Sequence, residues 1–155
     1  MKKLLFTFFL LSSCLWASAQ DAESVFRDFK DKRHVEYVSA PRLVMNIVAS
    51  KMKAGNFQAL LSQVYSARVL TLSQCRRGIR KKFTKKIVGL EKAGYDEIAA
   101  FKQDDDNISI VARKSSDNII REAVVLISGK TDCLGVLVTG NINLKDAVAA
   151  IGMAQ

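Results

Sequence analysis

The sequence predicts a single α+β domain, a mainly antiparallel sheet with a C-terminal meander, packed with amphipathic helices. Two observations point there. Helix-periodic apolar stripes dominate the first part of the chain, while strand-like runs separated by short turn clusters dominate from Glu97 onward. Neighbouring strands with short links pair antiparallel. A third observation is length, since 155 residues suit one domain. The apolar content of 49% excludes a wholly disordered chain. One Pro and 8 Gly exclude collagen-like and low-complexity classes.

Residues 1–19, MKKLLFTFFLLSSCLWASA, read as an export signal. Lys2 and Lys3 form a positive start, Leu4–Leu11 a short apolar core, and Ala17-Ser18-Ala19 a small-x-small cleavage site. The apolar run is much shorter than the ~20 residues a spanning helix needs, so no transmembrane span is expected. Leu11-Ser12-Ser13-Cys14 offers an alternative, a lipoprotein with Cys14 acylated. Cleavage after Ala19 is the reading adopted, because apolar Leu15 and Trp16 follow Cys14 while polar Gln20 and Asp21 follow Ala19. The protein is then expected in the periplasm or cell envelope, with residues 20–155 as the domain. Losing Lys2 and Lys3 reduces 24 basic residues to 22 against 15 acidic ones, a charge of +7. It leaves Cys75 and Cys133, an even count in an oxidising compartment.

The elements follow in order. Asp21–Arg33 places Val25, Phe26 and Phe29 at helical spacing, with Asp21 and Glu23 at the positive end of the dipole. Val35, Tyr37 and Val38 predict a short strand. Pro41 can open a helix whose stripe is Leu43, Val44, Ile47 and Val48, ending near Gly55. Phe57–Gln63 adds a helical turn, and Tyr65–Leu72 alternates as a strand. Arg76–Ala93 reads as one helix, with Ile79, Phe83, Ile87 and Leu90 on one face and Gly94 as its cap. Strands are then expected at Glu97–Lys102, Ile108–Arg113, Asn118–Ile127 and Cys133–Thr139. Turn clusters at Gln103–Asn107 and Ser128–Asp132 punctuate them. Asn143–Met153 reads as a helix capped by Asn143, with Asp146 in a capping-box position. Ala123–Ile127 is apolar on both alternation phases. Either helices cover both faces of the sheet or a partner copy, in a homo-oligomer, buries the second.

Five segments carry a family resemblance: VFRDFKDK at 25–32, VEYVSAP at 35–41, YSARVLTL at 65–72, Gly94-Tyr95-Asp96-Glu97, and the ending VLVTGNINLKDA at 136–147. Together with the signal they make the chain resemble family 4252 of the domains of unknown function, small exported proteins of Gram-negative bacteria. The resemblance implies one envelope-located α+β domain. It implies no activity and supplies no catalytic residues, and the basic run at Arg76–Lys86 is not among the motifs that carry it.

Few residues can carry chemistry. His34 is the only histidine, beside Lys32 and Arg33 at a helix end, where its cation suits the dipole and solvent. A zinc site from His34, Cys75 and Cys133 lacks the close-spaced pairs such sites use. Gln103–Asn107 gathers oxygen ligands but lacks the Gly bend and distant bidentate acid of a calcium loop. No metal is therefore expected, and no cofactor, since phosphate loops, GxSxG elbows and HExxH motifs do not occur. Cys75 and Cys133 admit three readings: a disulfide, two inert buried thiols, or a reactive Cys75 activated by a helix N-terminus and by Arg76 and Arg77.

The basic helix is the sharpest feature. Arg76, Arg77, Arg80, Lys81, Lys82, Lys85 and Lys86 put seven cations into eleven residues with no acid between them. Such a surface attracts polyanions and weakens with salt. Export argues against nucleic acid, as does the lack of interleaved aromatics beyond Phe83. The expected partners are an anionic envelope component or an acidic protein surface. The expected role is a non-catalytic binding or interaction module with the basic helix as contact surface. The alternatives are a solvated helix face without a partner and a small envelope enzyme or thiol-active protein using Cys75.

Overall fold

The computed structural model describes residues 21–42 and 55–154. The helix expected over Leu43–Val48, and the export signal, lie outside the described residues. Helix α1 spans Ala22–Lys30 and is followed by strand β1, Glu36–Ala40. Helix α2, Gly55–Ser62, leads into β2, Val64–Thr71. Helix α3, Arg77–Val88, passes directly into a 3-10 turn, Gly89–Ala93. Then come β3 (Asp96–Gln103), β4 (Asp106–Ser116), β5 (Ile119–Ser128), β6 (Cys133–Asn143) and helix α4 (Leu144–Ala154). The strands form one sheet, all neighbours antiparallel, in the order β1-β2-β6-β5-β4-β3. The expected α+β class and the C-terminal meander β3-β4-β5-β6 are both present. No helix among the described residues is long and apolar enough to cross a membrane.

The two-phase apolar strand has helices on both sides. Val124 and Leu126 of β5 join a core with Phe26 and Phe29 of α1 and Phe83 and Ile87 of α3. Ala123, one residue out of phase, packs with Leu60 and Leu61 of α2 and Leu144 and Ala147 of α4. An apolar groove of about 360 Å³ lies on that second side, lined by Val125, Ile110 and Ile151 among others. The first core is centred on Phe83, fully buried edge-on between Phe26 and Phe29, at 5.8 and 5.2 Å between ring centres. Gly135 of β6 makes room for it: a Cβ there would come within 2.6 Å of the Phe83 ring.

Local chemistry sets the ends of the elements. Asp21 caps α1, its carboxylate accepting the Ser24 N–H at 2.8 Å. That bond, helped by Arg113 and Arg27, holds the Asp21 carboxyl below its ordinary value. Asp21→Ala is therefore expected to lose about 1 kcal/mol of stability at neutral pH. A carboxyl with a lowered folded value stabilises above its unfolded value and loses that contribution as pH falls through the folded one. The gap between wild type and variant should thus narrow in acid, as urea titrations at the two pH values would show. A gap that does not change with pH would mean that the carboxylate is not the cap.

Gly94 ends the 3-10 turn in the left-handed region, at φ 88°, where a Cβ is disfavoured. The tight β3–β4 hairpin turns through Asp104 at φ 54°, a conformation Asp tolerates better than most residues.

Several element ends and one cap differ from the sequence reading. Helix α1 stops at Lys30 instead of Arg33, and β4 runs from Asp106 to Ser116, beyond the expected Ile108–Arg113 at both ends. The expected helix Arg76–Ala93 tightens at Gly89 into the 3-10 turn. Strand β6 runs on to Asn143, because Ile142 and Asn143 pair with Ile120 and Ile119. The capping box at α4 is not made. Asn143 does accept the Lys145 N–H, but its own N–H goes to Gln63 Oε1, and Asp146 accepts from Gln63 Nε2. A single Gln side chain from the α2–β2 link satisfies both groups.

A polar network ties α1 to the sheet. Tyr95, 2% exposed, accepts the Ala22 N–H at 3.1 Å and donates to Glu122 at 2.6 Å. Arg113 donates to both, at 2.7 Å to the Tyr95 hydroxyl and 2.6 Å to Glu122. Its guanidinium also lies 4.8 Å from the centre of the Tyr95 ring.

Candidate functional site

Helix α3 forms in spite of its charges. It has no acid, its cap residue Arg76 makes no side-chain bond, and Arg76 and Arg77 sit at the positive end of the dipole. Arg77, Lys81 and Lys85 repel one another at i, i+4 spacing. What holds the helix is its apolar face, with Phe83 and Ile87 buried and Ile79 partly so. Local electrostatics thus oppose the helix, and the burial of its other face outweighs them.

The polar face borders a cleft of about 980 Å³. Arg77, Arg80, Lys81 and Lys85 of α3 line it. Across from them stand the two hairpin turns, which contribute Lys130 and Asp132 from the β5–β6 turn and Asp105 from the β3–β4 turn. Five cations and two carboxylates leave the lining with a net charge of +3. Arg77, Lys81, Lys85 and Lys130 have no ion-pair partner among the described residues. Arg80 differs, for it is half-buried and its Nη1 donates to the Lys130 carbonyl at 2.9 Å, so it braces helix against turn. Its Nε is buried without a hydrogen-bond partner.

The seven cations of the run therefore do not act as one surface. Four line the cleft. Arg76 and Lys82 are exposed outside its lining, and Lys86 is half-buried with a partner of its own. Lys130 was not legible in the sequence, where it is one residue of a turn cluster with no periodic signal.

Thr84 and Cys133 also line the cleft. Both Cys75 and Cys133 are buried free thiols. Burial pushes the Cys75 thiol up, with Arg80 opposing, and its Sγ donates to the Arg33 carbonyl at 3.6 Å. Burial also pushes Cys133 up, against the Thr84 hydrogen bond and the Arg80 guanidinium. These directions run opposite to the activation a nucleophilic Cys75 needs. His34 is exposed, at φ 66°. Among the described residues no group of three or more His, Cys, Asp or Glu side chains is placed to hold a metal ion, and of the expected turn cluster Gln103–Asn107 only Asp104 and Asp105 form the β3–β4 turn, the rest being paired strand residues. The arrangement can attract and hold an anion. It brings together no nucleophile, base and orienting group.

No curated protein and no solved structure matches the chain. The family model described as Domain of unknown function (DUF4252) matches residues 29–150, a span that contains all six strands, α3, both turns of the cleft and both cysteines. On that match the chain belongs to the DUF4252 family, a domain of unknown function.

Proposed function

We propose that this protein is exported to the periplasm or cell envelope, with cleavage after Ala19, and that it binds a phosphate-bearing anionic envelope component through the α3 cleft without catalysing a reaction. One observation carries the reading: Arg77, Lys81 and Lys85 converge on an open cleft with Lys130, none of them is ion-paired among the described residues, and the lining stays net positive with Asp105 and Asp132 counted. The helix accepts unfavourable charge placement that contributes nothing to its stability, as expected where a surface is shaped for a ligand. The export signal supports an envelope anion over nucleic acid.

The test is cosedimentation of the mature protein with vesicles of anionic and of zwitterionic phospholipid. Binding to the anionic vesicles should fall steeply as salt rises. Arg77→Glu, Lys81→Glu and Lys85→Glu together should weaken it on the order of 100-fold, at about 1 kcal/mol for each basic residue near a charged surface. All three are exposed, so the melting temperature should stay near that of wild type. Arg80 is left in place because it braces the β5–β6 turn. Equal binding by wild type and variant, or equal binding to both vesicle types, would overturn the proposal.

A further inference from the structure

We infer that Cys75 and Cys133 pair as a disulfide in an oxidising compartment, tying the lead-in of α3 to the first residue of β6 beside the basic cleft. The compartment is that of the export reading above; the pairing itself rests on backbone geometry. In the β2–β6 register Thr71 stands opposite Leu134, and the next pair is Leu72 with Cys133, whose carbonyl accepts the Leu72 N–H at 2.8 Å. The chain turns at once, with the Cys75 N–H donating to the Leu72 carbonyl at 2.9 Å. Ser73, inside that turn, accepts the Cys133 N–H on its Oγ at 3.2 Å. Each cysteine is therefore held close to Leu72, one by a four-residue turn and the other by a strand spacing.

Both side chains are buried on the same side of the sheet, and the Cys75 thiol acts electrostatically on Cys133. Cys75, Cys133, Leu72 and Phe83 belong to one buried cluster, and the Arg80 guanidinium acts on both thiols. Pairing across one turn is a span a disulfide can bridge. With Cys14 removed by signal cleavage, these are the only two cysteines of the mature chain. In the reaction the two thiols give up two protons and two electrons and form one Sγ–Sγ bond. A disulfide-bearing oxidant, in the envelope an oxidoreductase, is reduced to two thiols by exchange through a mixed disulfide. Burial of both thiols makes the exchange slow near neutral pH and faster as pH rises.

The consequence falls on the cleft. Cys75 is two residues ahead of α3, and Cys133 itself lines the cleft. The cross-link fixes the start of the basic helix against β6 and closes the long loop between positions 75 and 133. Such a closure should raise the melting temperature by roughly 10 °C.

The experiment incubates the reduced mature protein with oxidised glutathione at alkaline pH, then titrates thiols in denaturant and weighs the product. The expected result is no free thiol, a monomer lighter by two hydrogens, and the raised melting temperature. Cys75→Ser and Cys133→Ser should show neither the loss of mass nor the thermal shift. Two thiols still titratable, glutathione adducts, or cross-linked dimers would overturn the pairing. Vesicle binding of both forms is measured alongside. Binding with no disulfide removes the pairing alone, whereas a disulfide with no binding upholds the pairing and removes the anion reading.

Discussion

Phe83→Ala should destabilise the domain by about 3–5 kcal/mol, measured by urea or thermal unfolding. The ring is fully buried, packs edge-on against Phe26 and Phe29, and fills the space left by the missing side chain of Gly135. Its removal leaves a cavity bounded by two rigid rings and a strand, which cannot collapse cheaply. The same ring is a principal attachment of α3 to the sheet. Local electrostatics work against that helix, so its register over the cleft should loosen as well. A loss below about 1 kcal/mol would mean that the ring is not enclosed as described. Gly135 supplies the converse test. Gly135→Ala should cost about 1–3 kcal/mol by overpacking, since its Cβ would meet Cζ of Phe83 at 2.6 Å and Cζ of Phe26 at 3.1 Å. In a Phe83→Leu background that penalty should shrink by about 0.5 kcal/mol or more. Full additivity of the two substitutions would separate them in space and contradict the packing.

Tyr95→Phe should lower stability by about 1–3 kcal/mol, since it leaves the Ala22 N–H and two charged side chains without their shared partner. The hydroxyl receives two hydrogen bonds and gives one, so no single group replaces it. Burial first, and then its bond to Glu122, push the Tyr95 phenol up to about 12. A phenol whose folded value lies above its unfolded value of 10 holds its proton more tightly in the native state. Its contribution is complete below the unfolded value and is lost as pH rises through the folded one. Wild type should therefore lose stability between about pH 10 and pH 12, and Tyr95→Phe should lose less over that window. A parallel alkaline loss in both proteins would show that another group is responsible.

Most elements were legible because their signals are local. The period of Val25, Phe26 and Phe29 placed α1, and the acids Asp21 and Glu23 marked its positive end. Alternation in Tyr65–Leu72 placed β2, and Gly94 marked the end of the α3 segment. The misread ends of β6 and of the α3 segment share one cause. Strand β6 continues past Thr139 because Ile142 finds Ile120 on β5, and the Asn143 N–H is taken by Gln63, which leads into the neighbouring strand β2. Neither partner is near in sequence, and alternation around Gly140 and Asn141 carries no strand signal of its own. The 3-10 turn at Gly89 likewise follows from seating Leu90 in the core, which the helical stripe alone reads as one more turn of α-helix.

The candidate site was half legible. The charge run, its lack of acids and its apolar opposite face identified α3 as amphipathic and basic. The choice of which cations face a common space was not available, since it depends on where the hairpin turns fall. Lys130 enters the cleft through a turn that Arg80 grips by its carbonyl, and Lys86 leaves the set because it does not line that space. The pairing of Tyr95 with Glu122 and Arg113 had no local signal at all, because three separate strands or strand ends supply it.

By itself, then, the sequence determined the α+β class, the order of most elements, the export signal as an expectation and the concentration of positive charge on one helix. These rest on composition and on periods of two and 3.6 residues, which short-range sterics impose. Only the tertiary structure decided that helices lie on both faces of the sheet, that four of seven cations share a cleft with Lys130, and that Cys133 stands opposite Leu72, one turn before Cys75. Those outcomes depend on contacts between residues some 50 to 80 positions apart, which form only when burial of a common core offsets the entropy of bringing them together.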